Sequence, residues 1–217
     1  MKAIAVNGSP RKTWNTAALL EHTLKGAAAK GAETELVHLY DHNFKGCVSC
    51  FACKKIDGKS YGRCAVNDGL DPILKKVSEA DVLLLGTPVY FGSETGEMRS
   101  FLERLLFPFL TYTPDYASLF PGRLRVGLVY TMNVPEKYLS TFGYDKTFAA
   151  TQGTLRRIFG NCELLLSTDT YQFSDYSEYL STCFDAGAKK KRREDVFPED
   201  CRRAFELGEK LAAATKV

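Results

Sequence analysis

Cys47, Cys50, Cys53 and Cys64 fall within eighteen residues. In a reducing compartment such a group reads as metal-binding or redox-active rather than as a disulfide framework. Four thiolates can ligate a [4Fe–4S] cluster or a tetrahedral zinc ion, or they can stand as free thiols at the entrance to another site. The spacing alone leaves these three readings open. Cys162, Cys183 and Cys201 are scattered and read as structural.

A second concentration of chemistry is Asn7-Gly8-Ser9-Pro10-Arg11-Lys12-Thr13-Trp14-Asn15-Thr16. It joins an apolar run to a helix-period stretch. The free N–H groups and positive dipole end of a helix start suit a phosphate. Ser9, Thr13, Asn15 and Thr16 add donors, and Arg11 and Lys12 add charge. Neither a dinucleotide glycine fingerprint nor a P-loop lysine is present, so the loop suits a terminal monophosphate. The plainer alternative is a helix capped by Asn15 or Thr13. A third segment, Thr87-Pro88-Val89-Tyr90-Phe91-Gly92, follows the most apolar run of the chain. Its aromatic faces can stack on a flat ring, while Pro88 stiffens the turn and Gly92 permits close backbone approach. Thr131-Met132-Asn133 follows a further apolar run and borders the same region.

The elements that must carry these loops read as strands and helices in alternation. Strands are expected at Lys2–Asn7, Glu35–Leu39, Asp81–Gly86, Arg125–Thr131 and Glu163–Ser167, and helices at Asn15–Lys30, Asp71–Glu79, Glu94–Phe107, Thr147–Phe159 and Pro198–Ala214. Parallel strands need crossover helices, almost always right-handed. The result is an open, doubly wound α/β sheet that binds ligands beyond its carboxyl edge. The chemistry-bearing loops all follow expected strands one, three and four.

Gly8-Ser9-Pro10-Arg11 with Asn15-Thr16, together with Thr87-Pro88-Val89-Tyr90-Phe91-Gly92, resembles the NAD(P)H-dependent FMN reductases of the flavodoxin-like superfamily. Trp14 departs from the glycine often found before Asn-Thr there. The cysteine run resembles the compact motif of iron–sulfur flavoproteins, although the gap before Cys64 is longer than usual. The resemblance implies a flavodoxin-like three-layer sandwich with a five-stranded parallel sheet in the order 2-1-3-4-5. It implies FMN held by Ser9, Arg11, Lys12, Thr13, Asn15, Thr16, Thr87, Pro88, Val89, Tyr90, Phe91, Gly92, Thr131, Met132 and Asn133. It also implies NAD(P)H as electron donor, a quinone, nitro compound or protein as acceptor, and a homodimer or homotetramer. Cys47, Cys50, Cys53 and Cys64 are the candidate [4Fe–4S] ligands. No catalytic acid or base is implied, because the flavin carries the chemistry.

The bulk properties agree with a single domain over residues 1–217, with a cysteine-rich insertion at about 44–68 and a C-terminal extension from about 170. Apolar residues are 45% and charged residues 25%, as in ordinary globular chains. A net charge of +3 is too small to argue for nucleic acid. No signal segment or membrane span is read, so the expectation is a cytoplasmic protein. The run Lys189-Lys190-Lys191-Arg192-Arg193 reads as a solvated helix start or loop. The aromatics Tyr171, Phe173, Tyr176 and Tyr179 read as core or subunit contact. Two rivals remain: an iron–sulfur flavoprotein carrier exchanging electrons with ferredoxin, and a non-enzymatic zinc and nucleic-acid module, which would be colourless.

Overall fold

Lys2–Asn7 is a six-residue run buried from Ala3 onward, and it forms the first strand, β1. The chain then continues as α1 (Asn15–Ala29), β2 (Glu33–His38), α2 (Asp71–Ser78), β3 (Val82–Pro88), α3 (Gly96–Leu106), β4 (Arg125–Thr131), α4 (Tyr144–Phe159), β5 (Glu163–Ser167), α5 (Ala186–Asp195) and α6 (Phe197–Ala212). This computed structural model describes residues 1–213. The expected end of the closing helix at Ala214 lies outside the described residues.

The five strands form one parallel sheet in the order β2-β1-β3-β4-β5. Side chains alternate across it, as strand geometry demands. Leu83 and Leu85 of β3 join Phe101 of α3 and Phe148 of α4 on one face. Val82 and Leu84 join Leu19 of α1 and Leu207 of α6 on the other. The α1–α6 crossing is backbone against backbone. A Cβ on Gly26 would stand 1.9 Å from the Phe205 carbonyl oxygen, and one on Gly208 would stand 1.9 Å from that of Thr23. The register sets Asn7 beside Gly86 and Pro88 beside Thr131, so β3 and β4 finish level with one another at their carboxyl ends and β1 stops two residues short of them.

Element boundaries differ from the sequence expectation for identifiable reasons. Helix α3 starts at Gly96 rather than Glu94, because Thr95 is its N-cap and accepts from Met98 N at 3.3 Å. Helix α4 starts at Tyr144, after Gly143 turns the chain at φ 72°. The basic run is neither loop nor wholly solvated. It lies within α5, which Asp185 caps by accepting from Ala188 N at 2.8 Å. Lys189 is buried, and Arg192 pairs with Asp200. The aromatics after β5 pack on one another: Phe173 stacks on Tyr179 at 4.1 Å, and Tyr176 is buried beneath Phe173 and Tyr171. Among the described residues no helix is long and apolar enough to cross a membrane.

Candidate functional site

The loop after β1 is anchored before it reaches α1. Asn7 is fully buried; its amide donates to His38 Nδ1 at 2.9 Å and its Oδ1 accepts from Ser9 N at 2.9 Å. Gly8 N donates to the Gly86 carbonyl at 2.8 Å, and Thr95 Oγ1 donates to the Gly8 carbonyl at 2.7 Å. A Cβ on Gly8 would stand 2.8 Å from Met98 Cβ, so only glycine lets the loop lie this close to α3. Ser9 Oγ accepts from Arg11 N at 3.1 Å and tightens the turn.

The cap of α1 corrects the plain expectation. The N-cap is Trp14, with no side-chain capping bond. Asn15 is engaged elsewhere: its amide donates to the Tyr171 carbonyl at 2.8 Å, and its Oδ1 accepts from Arg193 at 2.7 Å. The first intrahelical bond runs from Ala18 N to the Trp14 carbonyl. The N–H groups of Asn15, Thr16 and Ala17 therefore have no acceptor within the helix and point out of its N-terminus. Free donors at a positive dipole end, beside a glycine cradle, are what a phosphate needs.

The neighbouring strand ends bring three loops around one cavity of about 150 Å³. Ser9, Arg11, Trp14, Asn15 and Thr16 form one wall, Pro88, Val89 and Tyr90 a second, and Thr131, Met132 and Asn133 a third. The Thr16 and Thr131 hydroxyls meet at 2.7 Å and tie the first wall to the third. Five residues of the expected set lie off these walls. Lys12 pairs with Asp41, and Thr13 is exposed. Thr87 is buried, its hydroxyl donating to the Pro88 carbonyl and accepting from Thr95 N. Phe91 is fully exposed at φ 51°, and Gly92, at φ 84°, packs against Tyr144.

Thr170, Tyr171 and Gln172 form a fourth wall, none of them among the expected site residues; Tyr171 was expected in the core or at a subunit contact. Arg11 donates to the Gln172 carbonyl at 2.6 Å and lies 3.8 Å over the Trp14 ring, whose indole N–H donates to the Tyr171 carbonyl at 3.0 Å. Burial lowers the Arg11 pKa. Trp14 thus serves as a platform for Arg11 and a tie to the segment after β5. Helix α5 secures that segment. Lys189 donates to the Asn133 carbonyl at 3.0 Å, to Asn133 Oδ1 and to Asp169. Arg193 holds Asn15 and lies 4.0 Å over Phe197. The one sequence signal for this pair was their i, i+4 spacing, which places both on one helix face.

Behind the aromatic loop, the Glu94 carboxylate is fully buried and accepts from Tyr130, from Thr151 at 2.7 Å and from Ser93 at 2.9 Å. Burial pushes its pKa upward, but the hydrogen bonds outweigh this and leave it below the usual carboxylate value. Tyr130, buried against that charge, is pushed up.

At the other end of α3, Cys47, Cys50, Cys53 and Cys64 line one small cavity of about 20 Å³, closed by Phe107 and Pro108. Ser49 and Phe51, on either side of Cys50, have φ of 52° and 56°, conformations that non-glycine residues rarely adopt. Such backbone makes N–H concavities of the kind that hold phosphates and iron–sulfur clusters. Arg104 Nε donates to Cys64 Sγ at 3.4 Å. Lys54 donates to the carbonyls of Phe107 and Leu110 and, at 3.3 Å, of Pro108. Burial raises the Cys53 thiol, with Lys54 opposing. Among the described residues no group of three or more His, Cys, Asp or Glu is placed to hold a metal ion. The donor set, four thiols on a mostly apolar cavity with a cationic N–H on one sulfur, nevertheless fits an anionic sulfur cluster.

The model of the NADPH-dependent FMN reductase family matches residues 1–124 of the 217. The chain belongs to the NADPH-dependent FMN reductase family. For this FMN reductase family member the matched stretch carries β1 to β3 and the cysteine segment, and stops before β4. An iron-sulfur flavoprotein of Methanocaldococcus jannaschii is 39% identical over 104 residues, 48% of this chain and 51% of the relative. One from Archaeoglobus fulgidus is 40% identical over 104 residues, 48% of each. In these alignments the chain spans about half the length of the curated relatives it matches. Across the whole fold, the chain superposes on an NAD(P)H:quinone oxidoreductase from Methanothermobacter marburgensis with a TM-score of 0.69 at 15% identity, covering 99% of this chain and 98% of that one. An azoreductase from Bacillus anthracis gives 0.67 at 14%, covering 97% and 99%. At these identities the likeness is one of fold.

Proposed function

We propose that this member of the FMN reductase family is an FMN-dependent oxidoreductase that takes electrons from NAD(P)H and delivers them to a small-molecule or protein acceptor. One observation carries the reading: the phosphate-suited head of α1 and the Pro88–Tyr90 loop form walls of a single crevice at the carboxyl edge of the sheet. The unbonded N–H groups of Asn15 to Ala17, with Ser9 and Arg11, would hold a terminal phosphate. Thr16, Thr131, Met132 and Asn133 would flank the chain linking it to the ring. Pro88, Val89 and Tyr90 would support the ring, with Phe91 at the open rim. Redox chemistry at the ring is what FMN supplies when bound; the residues bind, orient and shield it. Purified protein should be yellow, release FMN on denaturation, and oxidise NADPH in the presence of a quinone. Colourless protein that takes up no added FMN removes the reading.

A second reading concerns the cysteines. Cys47, Cys50, Cys53 and Cys64 would ligate a [4Fe–4S] cluster, and the protein would exchange single electrons with a ferredoxin-like carrier. Their sharing of one cavity, with Arg104 bonded to one sulfur, favours this. Anaerobically prepared protein should hold about four irons per chain; fewer than one excludes the cluster. A homodimer or homotetramer with the flavin near the subunit contact follows from the FMN reductase reading, and sedimentation tests it.

A further inference from the structure

Arg104 is 2% exposed, a guanidinium removed from water in the last turn of α3, on a face otherwise buried through Met98, Phe101, Leu102 and Leu105. Its donors are distributed in a pattern that the FMN crevice does not require. Nη1 donates to the Lys45 carbonyl at 3.1 Å and to Asp68 Oδ2 at 2.6 Å. Nη2 donates to the Val66 carbonyl at 2.9 Å. Nε donates to Cys64 Sγ at 3.4 Å. Lys45 and Val66–Asp68 are the two ends of the cysteine segment, so one side chain joins the entry and exit of a loop more than twenty residues long and also grips one of its sulfurs.

We propose that Arg104 is the positioning residue of the cysteine site: it closes the neck of residues 45–68, presets Cys64, and through the N–H···S bond makes the site easier to reduce. The first half stands on geometry alone. The second rests on the reading that the cysteines hold a sulfur cluster. Only a guanidinium can do this. Its planar fork sends Nε, Nη1 and Nη2 in fixed, divergent directions, whereas a lysine ammonium supplies one point charge on a flexible stem. Hydrogen bonds to cluster sulfurs are one of the levers that set cluster potential, because an N–H aimed at a sulfur stabilises the more negative, reduced form. Asp68 opposes this: its carboxylate partly neutralises the guanidinium beside the site.

Arg104→Lys, Arg104→Gln and Asp68→Asn, compared with wild type, decide the matter. In metal-free protein, limited proteolysis should cut within 45–68 at least tenfold faster in Arg104→Lys and Arg104→Gln, with FMN content unchanged. In anaerobically iron-loaded protein, dye-linked redox titration should show Arg104→Lys about tenfold harder to reduce, about 59 mV for one electron. Asp68→Asn, which keeps the N–H···S bond and removes the neighbouring negative charge, should shift the opposite way. Wild-type cleavage rates in both Arg104 variants would overturn the neck. An unchanged potential in Arg104→Lys, or shifts of the same sign in Arg104→Lys and Asp68→Asn, would overturn the tuning. If wild-type protein takes up no iron, the cluster reading fails and the tuning falls with it, while the proteolysis still decides the neck. If Arg104→Gln does not fold, Arg104→Lys carries the test.

Discussion

The two ends of α3 hold two differently built sites. At its head, the crevice rests on the carboxyl ends of three neighbouring strands, and its walls are tied by short bonds such as Thr16 to Thr131 and Gly8 to Gly86. Toward its foot, on a helix of 11 residues and so ~16 Å long, the cysteines sit on irregular backbone held by two cations, Arg104 and Lys54, that reach into main-chain carbonyls. The first site follows from topology. The second has no sheet beneath it and depends on a few long side chains. Precision in the second is bought with buried charge.

The most severe test of this contrast is Cys53→Ser. It should abolish iron binding, from about four per chain to below one, while leaving FMN content at the wild-type level; parallel iron and flavin analyses of the same sample check it. Joint loss of both would show that the two ends are not separable.

Next in size, Gly208→Ala places a methyl where the α1 and α6 backbones touch, 1.9 Å from the Thr23 carbonyl oxygen. Overpacking of this kind should lower stability by about 3 kcal/mol, read from urea denaturation. Because α1 carries the phosphate loop and α6 follows α5, flavin affinity should weaken as well, with iron unaffected.

Glu94 gives a pH-dependent test. Its folded pKa lies below its ordinary value of 4.5. The stability it contributes is therefore complete above that value and is lost as pH falls through the depressed folded value. Glu94→Gln should cost about 2 kcal/mol at neutral pH and flatten the acid limb of the stability profile. An acid limb identical to wild type would remove Glu94 as its source. The smallest effect belongs to Thr16→Val, which removes one hydroxyl contact and should weaken FMN binding about fivefold, near 1 kcal/mol, by fluorescence titration.

Much of the crevice was legible because its signals are local. A buried strand such as Val82–Pro88 announces itself as an apolar run, and the rule that doubly wound sheets bind ligands past their strand ends placed three loops together. The fourth wall was not legible. Tyr171, Gln172, Lys189 and Arg193 act through side-chain to backbone or side-chain bonds to residues at 11, 14, 15 and 133, and no local pattern encodes such long reach. The basic run misled for the same reason: its charges look solvated until their partners are known. Cys47 to Cys64 were visible as a group, but Arg104, which organises them, looked like an ordinary helix residue. Trp14 was visible as a departure; its use as a platform beneath Arg11 was not.

The grip of α5 on Asn15 has a consequence for biosynthesis. The ribosome makes Asn15 some 178 positions before Arg193. Domains emerge amino end first, so the nascent chain holds an unfinished crevice until α5 has been made. Closure of the crevice is accordingly timed by the arrival of α5 rather than by the folding of the loop it holds.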